Sequence, residues 1–185
     1  MKTKMYIGSI LIFCLCMAPI VAHDSFKIPS YSSLAKKNFK WLKKDFYNYL
    51  EYKCYKKNID PIFILSLAQV ESGGRNIRSH RMNRNGTYDF SRFQINSVHS
   101  PKNPRRLLDD KVQIDFATWY LGKCLKKSRG NKFLACIYYN GGVNCNVKRY
   151  MKKRSAYPKR IMKIYARCKK NIDASYRRAL RRGIK

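Results

Sequence analysis

Between Asp60 and Gly74 lies the segment that the rest of the chain has to be built around. Ile62, Phe63, Ile64, Leu65, Leu67, Ala68 and Val70 make it strongly apolar. Both of its ends are marked: Asp60 is a good N-cap, Pro61 suits the first helical position, and Gly73-Gly74 stops the helix. The spacing predicts a helix that opens at Pro61 and ends in a carboxylic acid, Glu71. A glutamate on the last turn faces the negative end of the helix, and the helix before it is apolar. Both effects disfavour the charged form and raise the pKa. A carboxyl kept protonated near neutral pH is what a general acid requires.

Beyond the helix the chain reads Ala68-Gln69-Val70-Glu71-Ser72-Gly73-Gly74 and continues through Asn85-Gly86-Thr87-Tyr88-Asp89-Phe90-Ser91-Arg92-Phe93-Gln94-Ile95-Asn96. It resembles the lysozyme-like lytic transglycosylases of the soluble lytic transglycosylase (SLT) domain family. The likeness is to the small members that serve secretion, conjugation and pilus systems. The family's Glu-Ser motif falls on Glu71 and Ser72, its Gly-Leu-Met/Phe-Gln-Ile-Asn motif on Ser91 to Asn96, and its Ala-Tyr-Asn-Ala-Gly motif on Tyr138 to Gly142. Three motifs in the right order are far more specific than any one alone. Asp89, ahead of the Gln-Ile-Asn, also looks like the second carboxylate of c-type lysozyme. Two positions depart from the family. Ser91 replaces a glycine, which predicts strain at a close backbone approach, and Arg92 puts a charge where a buried apolar residue is usual.

The resemblance implies a mainly α, lysozyme-like helical domain with a small loop or β lobe at a cleft, needing no cofactor and no metal. It implies that Glu71 protonates the glycosidic oxygen between N-acetylmuramic acid and N-acetylglucosamine in peptidoglycan. The resulting carboxylate then draws the proton from the sugar's C6 hydroxyl, closing a 1,6-anhydro ring. Tyr139 and Asn140 would lie beside the acid and the substrate. Gln94 and Asn96 offer amides suited to sugar hydroxyls and N-acetyl groups, and Ser72 belongs to the same substrate-binding set. Asp89 has two readings: a second carboxylate, as glycosidases commonly use, or a turn aspartate bonding local backbone.

The chain has 185 residues, room for one domain with a real core. Lys2 and Lys4 precede an apolar run from Tyr6 to Val21, the layout of a signal peptide over residues 1–22. A domain over 23–185, exported to the periplasm or beyond, is expected; a retained N-terminal anchor is the alternative. The formal charge is +31, and removing the leader leaves about +29. Glutamate occurs only at Glu51 and Glu71. Such an excess points to an anionic partner surface, such as wall polymer, lipid head groups or nucleic acid. The basic C-terminal helix lacks the exposed aromatics of a nucleic-acid stacking platform, which argues against nucleic acid.

Outside the leader the cysteines are Cys54, Cys124, Cys136, Cys145 and Cys168. Export predicts disulfides, with one thiol left over. No Cys-x-x-Cys occurs, so a zinc site is not expected.

Apolar spacing predicts one helix from Ser33 to about Lys57. An extended piece is expected within Tyr88–Ile95, with Phe93 and Ile95 inward. Further helices are expected from Asp109, from Asn131 to Tyr139, and from Tyr157-Pro158 onward, the last with a stripe of Ile161, Ile164, Tyr165, Cys168 and Ile172. Trp41 and Trp119 are read as core. Three functions remain open: a lytic transglycosylase that remodels the wall locally, a lysozyme-like hydrolase using Glu71 and Asp89, and an inactive polycationic wall-binding protein.

Overall fold

A computed structural model describes residues 30–183; the expected leader lies outside that range. The helices are α1 (Tyr31–Asn38), α2 (Lys44–Lys57), α3 (Pro61–Ser72), α4 (Asp110–Lys127), α5 (Lys132–Gly141), α6 (Val147–Arg154) and α7 (Ala156–Gly183). Between α3 and α4 stand a two-stranded antiparallel hairpin, β1 (Asp89–Phe90) and β2 (Ile95–Asn96), and two short 3-10 turns. The architecture is the expected mainly α, lysozyme-like one.

α3 is the spine. Every residue from Ile62 to Ala68 is buried; α7 lies along the helix and α2 touches it, while α4 packs on α2 and α5, and α5 on α7. The start of α3 is held as the sequence requires. The Asp60 carboxylate accepts from Ile62 N at 2.9 Å and from the Tyr165 hydroxyl at 2.8 Å, which ties the cap to α7. Its end is closed by Gly73 in the left-handed region at φ 68°. Gly74, at φ 78°, is needed for a second reason: a Cβ there would overlap the Trp41 indole ring.

Three expectations need correction. The single helix over Ser33–Lys57 is two, α1 and α2, broken at Phe39–Lys43. The break turns Phe39 and Leu42 into the core and lays Trp41 on Gly74, contacts a continuous helix could not make together. Trp119 is not core: it is 41% exposed on α4, with the Lys123 ammonium 4.0 Å above its ring. The expected disulfides are absent, since Cys54, Cys124, Cys136, Cys145 and Cys168 are all free thiols. Four of them stand on four different helices, buried as small apolar side chains.

The 88–95 stretch is a tight hairpin, folded at Ser91–Gln94, with Asp89 opposite Asn96 and Phe90 opposite Ile95. Phe93 and Ile95 are both buried, as their alternation predicts.

Candidate active site

A cleft of about 450 Å³ runs between the hairpin and the helices, with Glu71, Asp89, Gln94, Asn96, Tyr139 and Asn140 among its lining residues. Six of the seven side chains expected at the site therefore share one cavity. Ser72 does not. It is buried, and its hydroxyl donates to the Arg92 carbonyl at 2.9 Å, so it staples the end of α3 to the hairpin turn.

Glu71 occupies the last turn of α3 with its carboxyl at the cleft wall. Its pKa is pushed up to about 7, first by loss of water around the carboxyl, with a smaller push from the negative charge of Asp89. One interaction opposes this: the Tyr157 hydroxyl, on the first turn of α7, donates a hydrogen bond to Glu71 Oε1. Burial and the neighbouring glutamate hold the Tyr157 phenol far above its ordinary pKa, so it remains a donor. In the sequence Tyr157 is marked only as a helix start. Eighty-six positions separate it from Glu71, and nothing local marks the pair.

Asp89 is held rather than loose. Its Oδ1 accepts from Asn83 Nδ2 and from Asn96 Nδ2, both at 3.1 Å. Asn96 also donates to Thr87 Oγ1 at 2.8 Å, and its Oδ1 caps the following turn by accepting from Val98 N at 3.0 Å. The Asn96 amide is thus committed at both ends to shaping the hairpin and pinning Asp89. Gln94 lies open to the cleft, with its amide nitrogen donating to the Ser91 carbonyl at 2.9 Å. Tyr139 reaches over to donate to the Phe93 carbonyl at 3.1 Å, which fixes the hairpin to α5. The Asn140 side-chain Oδ1 accepts from the Tyr150 hydroxyl at 3.0 Å and from Arg154 Nη1 at 3.2 Å. Asn83, His99, Phe116, Tyr120 and Arg154 complete much of the wall, and none of them is expected at the site from the sequence.

The two departures in the hairpin turn are both accommodated. Ser91 does adopt the left-handed conformation, φ 70°, that a glycine would take without cost. Its own hydroxyl accepts from Phe93 N at 3.3 Å, and its N–H donates to the Ile77 carbonyl at 2.9 Å. Arg92 is buried at 7% exposure. Its guanidinium lies 4.6 Å from the centre of the Phe46 ring, with Nη1 2.7 Å from Asp110 Oδ1. The charge is carried out sideways to a carboxylate while the apolar stem fills the core position. Gln113, fully buried on α4, locks this region. Its Oε1 accepts from Arg92 N at 3.3 Å, and its Nε2 donates to Asp110 at 2.9 Å and to Asn76 at 3.2 Å.

Among the described residues no three His, Cys, Asp or Glu side chains converge as metal ligands. The chemistry open to the site is that of a protonated carboxyl with a pinned carboxylate across a polar cleft.

A lysozyme-like helical domain whose central helix delivers a high-pKa carboxyl to a cleft under a small hairpin defines a class, the lysozyme-like glycan-cleaving folds. Residues 48–163 match the family model of the Transglycosylase SLT domain, and the chain belongs to that family. The matched span contains Glu71, Asp89, the hairpin, Tyr139 and Tyr157. No curated protein matches the chain.

Proposed function

We propose that the protein is a peptidoglycan lytic transglycosylase that cleaves the bond between N-acetylmuramic acid and N-acetylglucosamine. The observation that carries this reading is Glu71. A carboxyl whose pKa burial pushes up to about 7 keeps a substantial protonated fraction near neutral pH; this one lines a polar cleft and is oriented by the Tyr157 hydroxyl. In the first step Glu71 gives its proton to the glycosidic oxygen as the C1–O bond breaks, and positive charge develops at C1 and the ring oxygen. The Asp89 carboxylate, held by Asn83 and Asn96, stabilises that charge through space. Glu71, now a carboxylate, takes the proton of the C6 hydroxyl as that oxygen bonds to C1. The proton count returns to its start, no water enters, and the product ends in a 1,6-anhydro ring.

A second reading rests on the same pinned Asp89. Two carboxyl groups lining one cleft is also the arrangement of lysozyme-like glycoside hydrolases, in which water completes the reaction. The cleavage type is read by mass spectrometry of digested sacculi. Products ending in anhydro sugar, with Asp89→Asn slowed far less than Glu71→Gln, fit the transglycosylase. Reducing ends heavier by one water, with Asp89→Asn inactive, make the protein a hydrolase. Sacculi left intact by the parent protein leave the polycationic wall-binding reading.

The site of action we propose is the wall outside the cytoplasmic membrane, with the protein opening it locally for a secretion, conjugation or pilus apparatus. The resemblance to the small specialised members, the apolar leader and the cationic surface support this.

A further inference from the structure

Beside the cleft lies a second pocket of about 310 Å³ whose walls are supplied by the end of α5 and by α6. Asn140, Gly141 and Arg154 line both cavities, so the second lies directly against the first. Its charged lining residues are Arg149, Lys153 and Arg154, and no carboxylate faces it. Among the described residues none of these three cations is within ion-pair distance of an acid. Arg149 and Lys153 are one turn apart on α6 and so present one face. The shared wall is built tightly: a Cβ on Gly141 would come within 2.9 Å of Cys145 Sγ and of the Tyr150 ring. Asn140 in turn fastens Arg154 and Tyr150 through its side-chain Oδ1.

The cleft is therefore bipolar, with two acids, Glu71 and Asp89, among its lining and an unpaired cationic annex lying against it on the Arg154 side. The alternating amino sugars of a glycan strand are uncharged. Its negative charges are the free carboxylates of the stem peptides borne on the lactyl ether of muramic acid. We propose that Arg149, Lys153 and Arg154 form a recognition site for a stem-peptide carboxylate on the strand held in the cleft. Asp89 repels such a group and the annex attracts it, so the two together also set which sugar lies over Glu71. Arginine suits the role because its planar fork accepts a carboxylate through two parallel donors. The inference rests on the glycan reading above and adds a substrate preference for peptide-bearing over peptide-free strands.

The test uses the full-length Glu71→Gln protein, which holds strands without cutting them. Its affinity is measured for glycan oligomers that keep their stem peptides and for the same oligomers stripped by an amidase. Peptide-bearing oligomers should bind about tenfold tighter, since exposed ion pairs are individually worth only a few-fold. Adding Arg149→Gln with Lys153→Gln should bring the two affinities within about twofold and leave binding of the stripped oligomers unchanged. Lys56→Gln with Lys57→Gln removes the same charge from the far end of α2 and should leave the preference intact. Equal binding of the two oligomers by the parent, or a preference that survives Arg149→Gln/Lys153→Gln, overturns the proposal alone. So does a preference lost equally in the Lys56/Lys57 pair, which would mean diffuse charge. A glycerol-phosphate polymer that binds through Arg149 and Lys153 while the two oligomers bind equally would reassign the pocket to phosphate. Failure to bind either oligomer overturns the glycan reading and the inference together.

Discussion

Replacing Glu71 by glutamine should stabilise the protein while abolishing its activity, and the size of the gain should depend on pH in a defined way. A carboxyl whose pKa rises from 4.5 to about 7 on folding is one the folded state prefers to keep protonated. Below pH 4.5 the group is neutral in both folded and unfolded chains, and it costs nothing. As pH rises from 4.5 toward 7 the unfolded chain releases the proton and the folded one retains it, so stability falls. Above about 7 the penalty is complete. At about 1.4 kcal/mol for each tenfold change in proton affinity, it amounts to about 3 kcal/mol. Glutamine keeps the shape and an oxygen for the Tyr157 hydroxyl but never ionises. Glu71→Gln should thus melt at the same temperature as the parent at pH 4, and about 6–12 °C higher at pH 8, for a domain of this size. Thermal melts followed by circular dichroism across that range provide the measurement. In the same protein, cleavage should drop by about 10²–10⁴, the worth of a positioned general acid. A melting difference independent of pH, or a loss of stability at pH 8, would refute the argument that the cleft holds Glu71 protonated.

Tyr157→Phe removes the one group that lowers the Glu71 pKa, so the alkaline limb of the pH–rate profile should move upward, with a lower maximal rate from poorer orientation. A limb that stays put would mean the phenol does not touch the acid's proton affinity. Arg92→Ala should cost about 2 kcal/mol in urea unfolding, because it empties the space against Phe46 and strips Asp110 of its partner, whereas Arg92→Leu should fall within about 1 kcal/mol of the parent. Equal losses for both would show that the charge rather than the volume is needed. With a formal charge of +31, binding to sacculi should weaken steeply with added salt, since exposed charges are screened beyond ~8 Å at physiological ionic strength. Sedimentation assays at low and high salt check it, and unchanged affinity would free the basic surface from any wall-binding role.

The position of Glu71 was legible in the chain because every signal for it is local. Cap, proline, apolar run and paired glycines all lie within Asp60–Gly74, and helix formation depends on such neighbours. The shared cleft was legible too, since the motifs at Glu71, at Gln94–Asn96 and at Tyr139–Asn140 line one cavity. Finer roles did not. Asn96 and Ser72 were read as sugar contacts, yet a sequence cannot say whether an amide or hydroxyl faces a ligand or its own backbone. The folded chain buries the Ser72 hydroxyl on the Arg92 carbonyl, and it bonds the Asn96 amide to Asp89 at the wall of the cleft. Export likewise predicted bonded cysteines, while burial on separate helices leaves them as thiols.

What tertiary structure alone decided is how the acid is tuned. Tyr157, Asn83, Gln113 and Arg154 belong to segments whose periodicity or polarity marks them only as helix or loop. Each acquires its function by meeting a residue far away, as Tyr157 meets Glu71 when α7 packs along α3. The sequence dictated that a carboxyl would end a buried helix; the packing around it determined how much water it loses, which donor orients it, and therefore where it titrates. Local chain chemistry specifies helix ends, whereas proton affinity follows from the dielectric and charges of everything nearby, and those are assembled only when distant segments meet.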